Sequence, residues 1–177
     1  MANCLLNRNI LKSDTCGYSL NKVVDIYLAN YGEISVSYNG NEVSAITMIS
    51  GATWYHIEPS KDTASYSDEL QVTDNGSKYR THTVNFSIDS GSYNKDLADN
   101  IDALSLGRYT AVCKLVNGTY VMLGAAAPLE ATVVNNSGAA SASEASAIQV
   151  TLVADIAEVA LPLTADAVED LVENIKA

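Results

Sequence analysis

The sequence predicts a mainly β protein, an antiparallel β-sandwich or barrel with one flanking helix and an amphipathic helix at the C-terminus. Three observations lead there. Several segments alternate apolar and polar residues with the period of a half-buried strand. In residues 79–88, Val84, Phe86 and Ile88 fall on one face and Tyr79, Thr81, Thr83, Asn85 and Ser87 on the other. Asn-Gly pairs beginning at Asn39, Asn75 and Asn117 sit between such segments, and Asn-Gly is the dipeptide favoured in type I′ hairpins. Only two stretches carry a helical period instead, which leaves about seven or eight strands, enough for a sandwich or small barrel.

The elements follow in order. Residues 1–21 mix Asn, Lys and Arg with isolated apolar side chains and read as an arm leading into a domain that spans 22–160. A short strand is expected at 23–29, and residues 45–57 are the expected partner of 79–88. Between those two lies a long polar arm, 60–78, rich in Ser, Thr, Asp and Tyr; an ordered loop of that length is usually functional, so it is expected to touch other chains. In 94–106, Leu97, Ile101 and Leu104 recur at helical spacing, with Gly107 placed for a positive φ at the helix end. Residues 108–116 and 119–123 flank Asn117-Gly118 as a hairpin. Strands at 126–134 and 147–154 form another pair, joined by the Ala/Ser-rich loop 135–147. Beyond Pro162, the segment 161–177 holds the last helix, with Thr164 as N-cap and Val168, Leu171, Val172 and Ile175 on one stripe; it docks either on its own domain or on a neighbouring subunit.

Composition narrows the functions. With 47% apolar residues and 177 in all, the chain is long enough to bury a core unaided. Its net charge of -11 disfavours gripping nucleic acid, which relies on Lys and Arg to neutralise phosphates. Cys4, Cys16 and Cys113 form no CxxC pair, and a reducing interior is the simplest context. Neither a secretory signal nor an apolar run of spanning length is expected. His56 and His82 both fall in predicted strands and read as sheet residues rather than bases, so no enzyme is expected. No spacing matches a metal site or a phosphate loop, and no cofactor is expected. Asp62, Asp68, Glu69 and Asp74 read as a solvated acidic face. Ten tyrosines stand against one Phe and one Trp; tyrosine suits interfaces, carbohydrate stacking and sheet edges. The candidate contact residues between chains are therefore Trp54, Tyr55, Asp62, Tyr66, Asp68, Glu69, Asp74 and Tyr79, with Leu171 and Ile175 from the last helix.

The apolar strand at 43–49, the Trp54-Tyr55-His56-Ile57-Glu58 strand, TASYSDELQ at 63–71, DNGSKY at 74–79 and the alternating strand that follows resemble small structural proteins of tailed phages. They are similar in particular to tail tube and head-to-tail ring proteins of phages infecting Bacteroides-type hosts. The hairpin RYTAVCKLVNGTYVMLG at 108–124 is similar in placement, and the resemblance covers about residues 23–154. It implies a homo-oligomeric ring, commonly hexameric or dodecameric. Inward hairpins would join into a barrel around a channel through which DNA passes without specific binding, and neighbouring tail or connector proteins would be the other partners. It also implies a virion location after synthesis in the host cytoplasm. Residues 62–79 would correspond to the loop reaching the next ring, and 43–58 and 79–88 to the inner sheet. The C-terminal helix departs from a simple tube subunit and leaves open an adaptor ring or a terminator. The alternative reading is a carbohydrate- or protein-binding β-sandwich on a virion or cell surface.

Overall fold

In the computed structural model, residues 9–10, 20–89, 93–138, 141 and 146–176 are described. Most of the expected arm 1–21, with Cys4 and Cys16, and the centre of the 135–147 loop lie outside them. The alternating segments form two antiparallel layers. One has the order β4 (Tyr55–Ile57), β1 (Val23–Asn30), β7 (Arg108–Leu115), β8 (Tyr120–Leu123), β11 (Leu161–Pro162). The other runs β9 (Leu129–Ser137), β10 (Ala147–Ile156), β6 (Lys78–Asp89), β5 (Ser65–Val72). They meet at one corner, where Arg108 and Tyr109 pair with Glu130 and Leu129. The result is the expected mainly β, sandwich-like fold, with a separate hairpin of β2 (Ile34–Asn39) and β3 (Glu42–Met48) and two helices, α1 (Lys95–Leu106) and α2 (Ala165–Glu173).

The core explains the pattern. Ile26 and Leu28, Ala111 and Cys113, Leu123, Val84 and Phe86, and Ile148, Val150 and Leu152 fill the space between the layers. The opposite face of β1, β7 and β8 is also covered: Tyr27, Ala29, Val112 and Met122 pack against Val43, Ile46, Trp54, Ala167 and Leu171. Being covered on both faces, β7 is buried almost without a break from Tyr109 to Leu115, whereas β6 and β10, buried on one face, alternate.

Several expectations are corrected. The partners of β6 are β5 and β10; residues 45–57 instead divide between β3, which joins the separate hairpin, and β4, which pairs with β1. The polar arm 60–78 is not one long loop, because Ser65–Val72 is a strand, which leaves only residues 60–64 and the turn around Thr73–Ser77 outside the sheet. Its polar residues are accommodated because a strand at a sheet edge faces solvent on one side. In all three Asn-Gly turns only glycine takes a positive φ, so none is a type I′ turn. At Gly76 (φ 83) and Gly118 (φ 85) the glycine closes a type I turn with a left-handed residue, a conformation that costs a residue with a Cβ. Gly107 has φ -83, an extended backbone rather than a left-handed cap. What excludes a side chain there is Tyr109, whose ring lies against it as its hydroxyl donates to the Ala103 carbonyl.

The last helix docks on its own domain. Thr164 caps it by accepting from the Ala167 N–H at 3.4 Å, and the Asp170 carboxylate accepts the Ile46 N–H of β3 at 2.9 Å. The Trp54 N–H donates to the Asn174 carbonyl, and the Lys176 N–H donates to the Trp54 carbonyl. Ala167 and Leu171 are buried while Val172 is 52% exposed, so the inward stripe uses Ala167 where Val172 was expected. Trp54 and Leu171 are fully buried and Ile175 is half-buried beside Trp54, so these three candidates for contact between chains instead hold the domain together. Replacing Trp54 by Ala should therefore lower unfolding stability by about 3–5 kcal/mol, read as a lower urea midpoint, rather than act on assembly alone.

Candidate functional site

The layer β9-β10-β6-β5 presents one face to the core and one to solvent. Register fixes the outward set: Ser65, Ser67, Glu69 and Gln71 on β5 lie opposite Asn85, Thr83, Thr81 and Tyr79 on β6. Ser87, Asn85, Thr83 and Thr81 in turn lie opposite Gln149, Thr151, Val153 and Asp155 on β10. Glu130, Val133 and Asn135 on β9 continue that face. It is a surface of hydroxyls, amides and carboxylates; no Lys or Arg projects from these paired positions, and at its corner Arg108 of β7 lies opposite Glu130 and pairs with it at 2.9 Å. Hydrogen bonds knit it laterally: Thr81 Oγ1 donates to Asp155 Oδ1 and Thr151 Oγ1 to Asn85 Oδ1, each at 2.8 Å.

Both margins of the layer lack a ladder partner among the described residues. There β5 pairs only with β6, and from Ala131 onward β9 pairs only with β10, with α1 packed beside it. Leu70, Val72 and Val133 are 55%, 59% and 47% exposed along these margins. A long edge with apolar side chains and unpaired backbone groups is a template for another strand.

Beneath the β5 margin lies a buried polar cluster. Asp68 points inward from β5, opposite His82 on β6. Its Oδ1 accepts from Arg80 Nε and lies 3.5 Å from His82 Nε2, and its Oδ2 accepts the Ala160 N–H at 2.9 Å. His82 is 1% exposed, and its Nδ1 accepts the Gly124 N–H at 3.3 Å. Nε2 therefore carries the proton and faces the carboxylate, slightly beyond an ordinary hydrogen-bond distance. Burial pushes the Asp68 carboxyl up, but the Arg80 hydrogen bond, the Ala160 N–H and the nearby charges outweigh it and hold it below the ordinary value. Burial pushes His82 down, only partly opposed by the Asp68 charge.

The remaining candidates disperse. Glu69 and Tyr79 lie on the outward face of the open layer, and Asp74 sits exposed in the β5–β6 turn. Tyr66 points inward and is half-buried, while Asp62 pairs with Lys22 at 2.8 Å before β5 begins. Tyr55 is 40% exposed on β4, under the Lys176 amine. His56 stacks on Tyr27 and lies 3.0 Å from Asp25, which Lys114 also approaches at 3.3 Å. Cys113 is buried, and burial pushes its thiol up to about 12, far from nucleophilic. Among the described residues no group of three His, Cys, Asp or Glu converges to hold a metal ion, and no helix is long and apolar enough to cross a membrane. The edges of β5 and β9 and the outward residues of β10 were missed, although the alternation at 147–154 already marked a one-faced strand.

A cavity of about 850 Å³ opens at the other end of the sandwich, under α1. Leu28, Ile88, Ile148 and Tyr109 form its floor, and Leu97, Ile101 and Leu104 of α1 its roof. Glu58 and Lys176 stand among its lining residues. No known family, curated protein or solved structure matches the chain.

The polar cluster sets the pH response. Below the ordinary histidine value of 6.5 the unfolded chain takes up a proton at His82 that the folded chain resists, so stability falls as pH drops toward the lowered folded value. Asp68 adds a second loss as pH falls from 3.8 through its depressed folded value. The urea midpoint should drop between pH 7.5 and 5. His82→Gln should cost about 1–3 kcal/mol at pH 7.5 and lose less over the same interval.

Proposed function

We propose that this protein is a structural subunit that joins head to tail through β5 and β9 into a closed ring or tube, forming part of a phage tail or head-to-tail connector crossed by DNA. The observation that carries the proposal is the four-stranded layer, whose two margins are unpaired among the described residues and whose own outward positions carry no Lys or Arg, the one neighbouring cation, Arg108 of β7, being paired with Glu130. In the order β9-β10-β6-β5 neighbours alternate in direction, so β5 runs opposite to β9. Rotation about a common axis keeps every copy in the same orientation and brings β5 of one against β9 of the next antiparallel, the pairing used throughout the layer. Closure then consumes every edge. Two-fold pairing of β5 with β5 would leave two β9 margins open.

Size and charge favour the same reading. Strands about 4.8 Å apart and tilted about 40° give six copies a barrel of roughly 45–50 Å backbone diameter, and three copies about half of that. Only the larger leaves a bore that a duplex can traverse after side chains line it. The lining is the hydroxyl, amide and carboxylate face, including Glu69, Glu130 and Asp155. Its corner cation, Arg108, is paired with Glu130 at 2.9 Å, and carboxylates otherwise outnumber cations on the face, so DNA slides without adhering.

Paired lysines at either margin test this. Ser67→Lys with Glu69→Lys on β5, or Val133→Lys with Asn135→Lys on β9, should give monomers by light scattering and no rings by electron microscopy. Each should unfold within about 1 kcal/mol of the parent, as solvent-facing changes do. Mixing the two blocked proteins leaves one intact β5 and one intact β9 per pair, so dimers are expected; rings from either variant alone would refute the junction.

A further inference from the structure

We infer that the cavity under α1 receives residues 5–10 of a neighbouring copy, an inference that rests on the assembly proposed above. The cavity is under-filled by the described residues of its own chain. α1 buries none of its residues, and Leu97, Ile101 and Leu104 remain half-exposed above a floor in which Leu28 and Ile148 are 2% and 0% exposed. A water-filled cleft with apolar walls gains free energy when apolar side chains displace the water.

The chemistry of the occupant follows from the lining. It is mostly apolar, its one carboxylate is Glu58, and its Lys176 amine is engaged over the Tyr55 ring. The site therefore suits a segment that is apolar and basic. Residues 5–10, Leu-Leu-Asn-Arg-Asn-Ile, supply three large apolar side chains and one Arg with no acid, in a chain whose net charge is -11. Ile10 is 86% exposed and does not line the cavity of its own chain. Reach permits a neighbour. The thirteen residues from Ile10 to Val23 span up to about 45 Å when extended, against roughly 25 Å between adjacent four-stranded layers in the proposed barrel.

The native Cys4 provides a test in the full chain. Ala103 lines the cavity with an exposed side chain, so Ala103→Cys, combined with Cys16→Ser, sets an introduced thiol within reach of an incoming Cys4. Diamide oxidation followed by a non-reducing gel should give a ladder beyond the dimer. Adding Cys4→Ser or Leu6→Asp should reduce it at least tenfold, and Asn100→Cys should reproduce it. A cross-linked product migrating as a monomer would place the segment in its own cavity and overturn the inference. Rings without a ladder would overturn it while leaving the β5–β9 junction intact, and neither rings nor ladder would overturn both.

Discussion

Everything in this fold depends on burying both faces of the β1-β7-β8 layer. Without α2, Trp54 and the β2–β3 hairpin behind it, Tyr27, Val112 and Met122 would lie against water. The constraint propagates through the backbone. Leu163 bridges to β3, Asp170 receives the Ile46 N–H, and the C-terminal residues hydrogen-bond to Trp54, so these elements act as one cover. Among the described residues, the opposite layer keeps one face toward solvent and a strand without a second ladder partner at each margin. The distribution of burial thus decides where other molecules can bind.

This layer is nevertheless well ordered at its margin. An edge strand held only by its ladder frays readily, but β5 is also tied through Asp68, which links Arg80 on the neighbouring strand to the Ala160 N–H between β10 and β11. A carboxylate in that position costs desolvation, and breaking such a pair costs more than the pair contributes. Its effect is geometric: it holds the outward residues of β5 in register with those of β6, so that the surface is preorganised before any partner arrives.

Legibility in the sequence tracked how one-sided each environment is. The 108–123 hairpin, β10 and both helices were readable because alternation, an Asn-Gly turn or a 3.6-residue period marks them directly. β5 was read as a loop because Asp68 occupies an inward position where a strand usually shows an apolar side chain, and only the distant partners Arg80 and Ala160 make it tolerable there. Trp54 and Leu171 looked like contact residues because an aromatic beside a polar arm and an amphipathic terminal helix look the same whether they dock at home or abroad. The open margins were illegible for a different reason: an edge is defined by the neighbour a strand lacks, which no local pattern encodes.

Trp54 is the only tryptophan in the chain, and its indole N–H is buried among apolar side chains with no hydrogen-bond partner among the described residues. Its emission will therefore be blue-shifted and governed by a single environment. Since it lies on the side of the molecule opposite the open layer, fluorescence gives a built-in optical gauge of whether the C-terminal cover is seated, separable from signals that arise when copies meet at their strand margins.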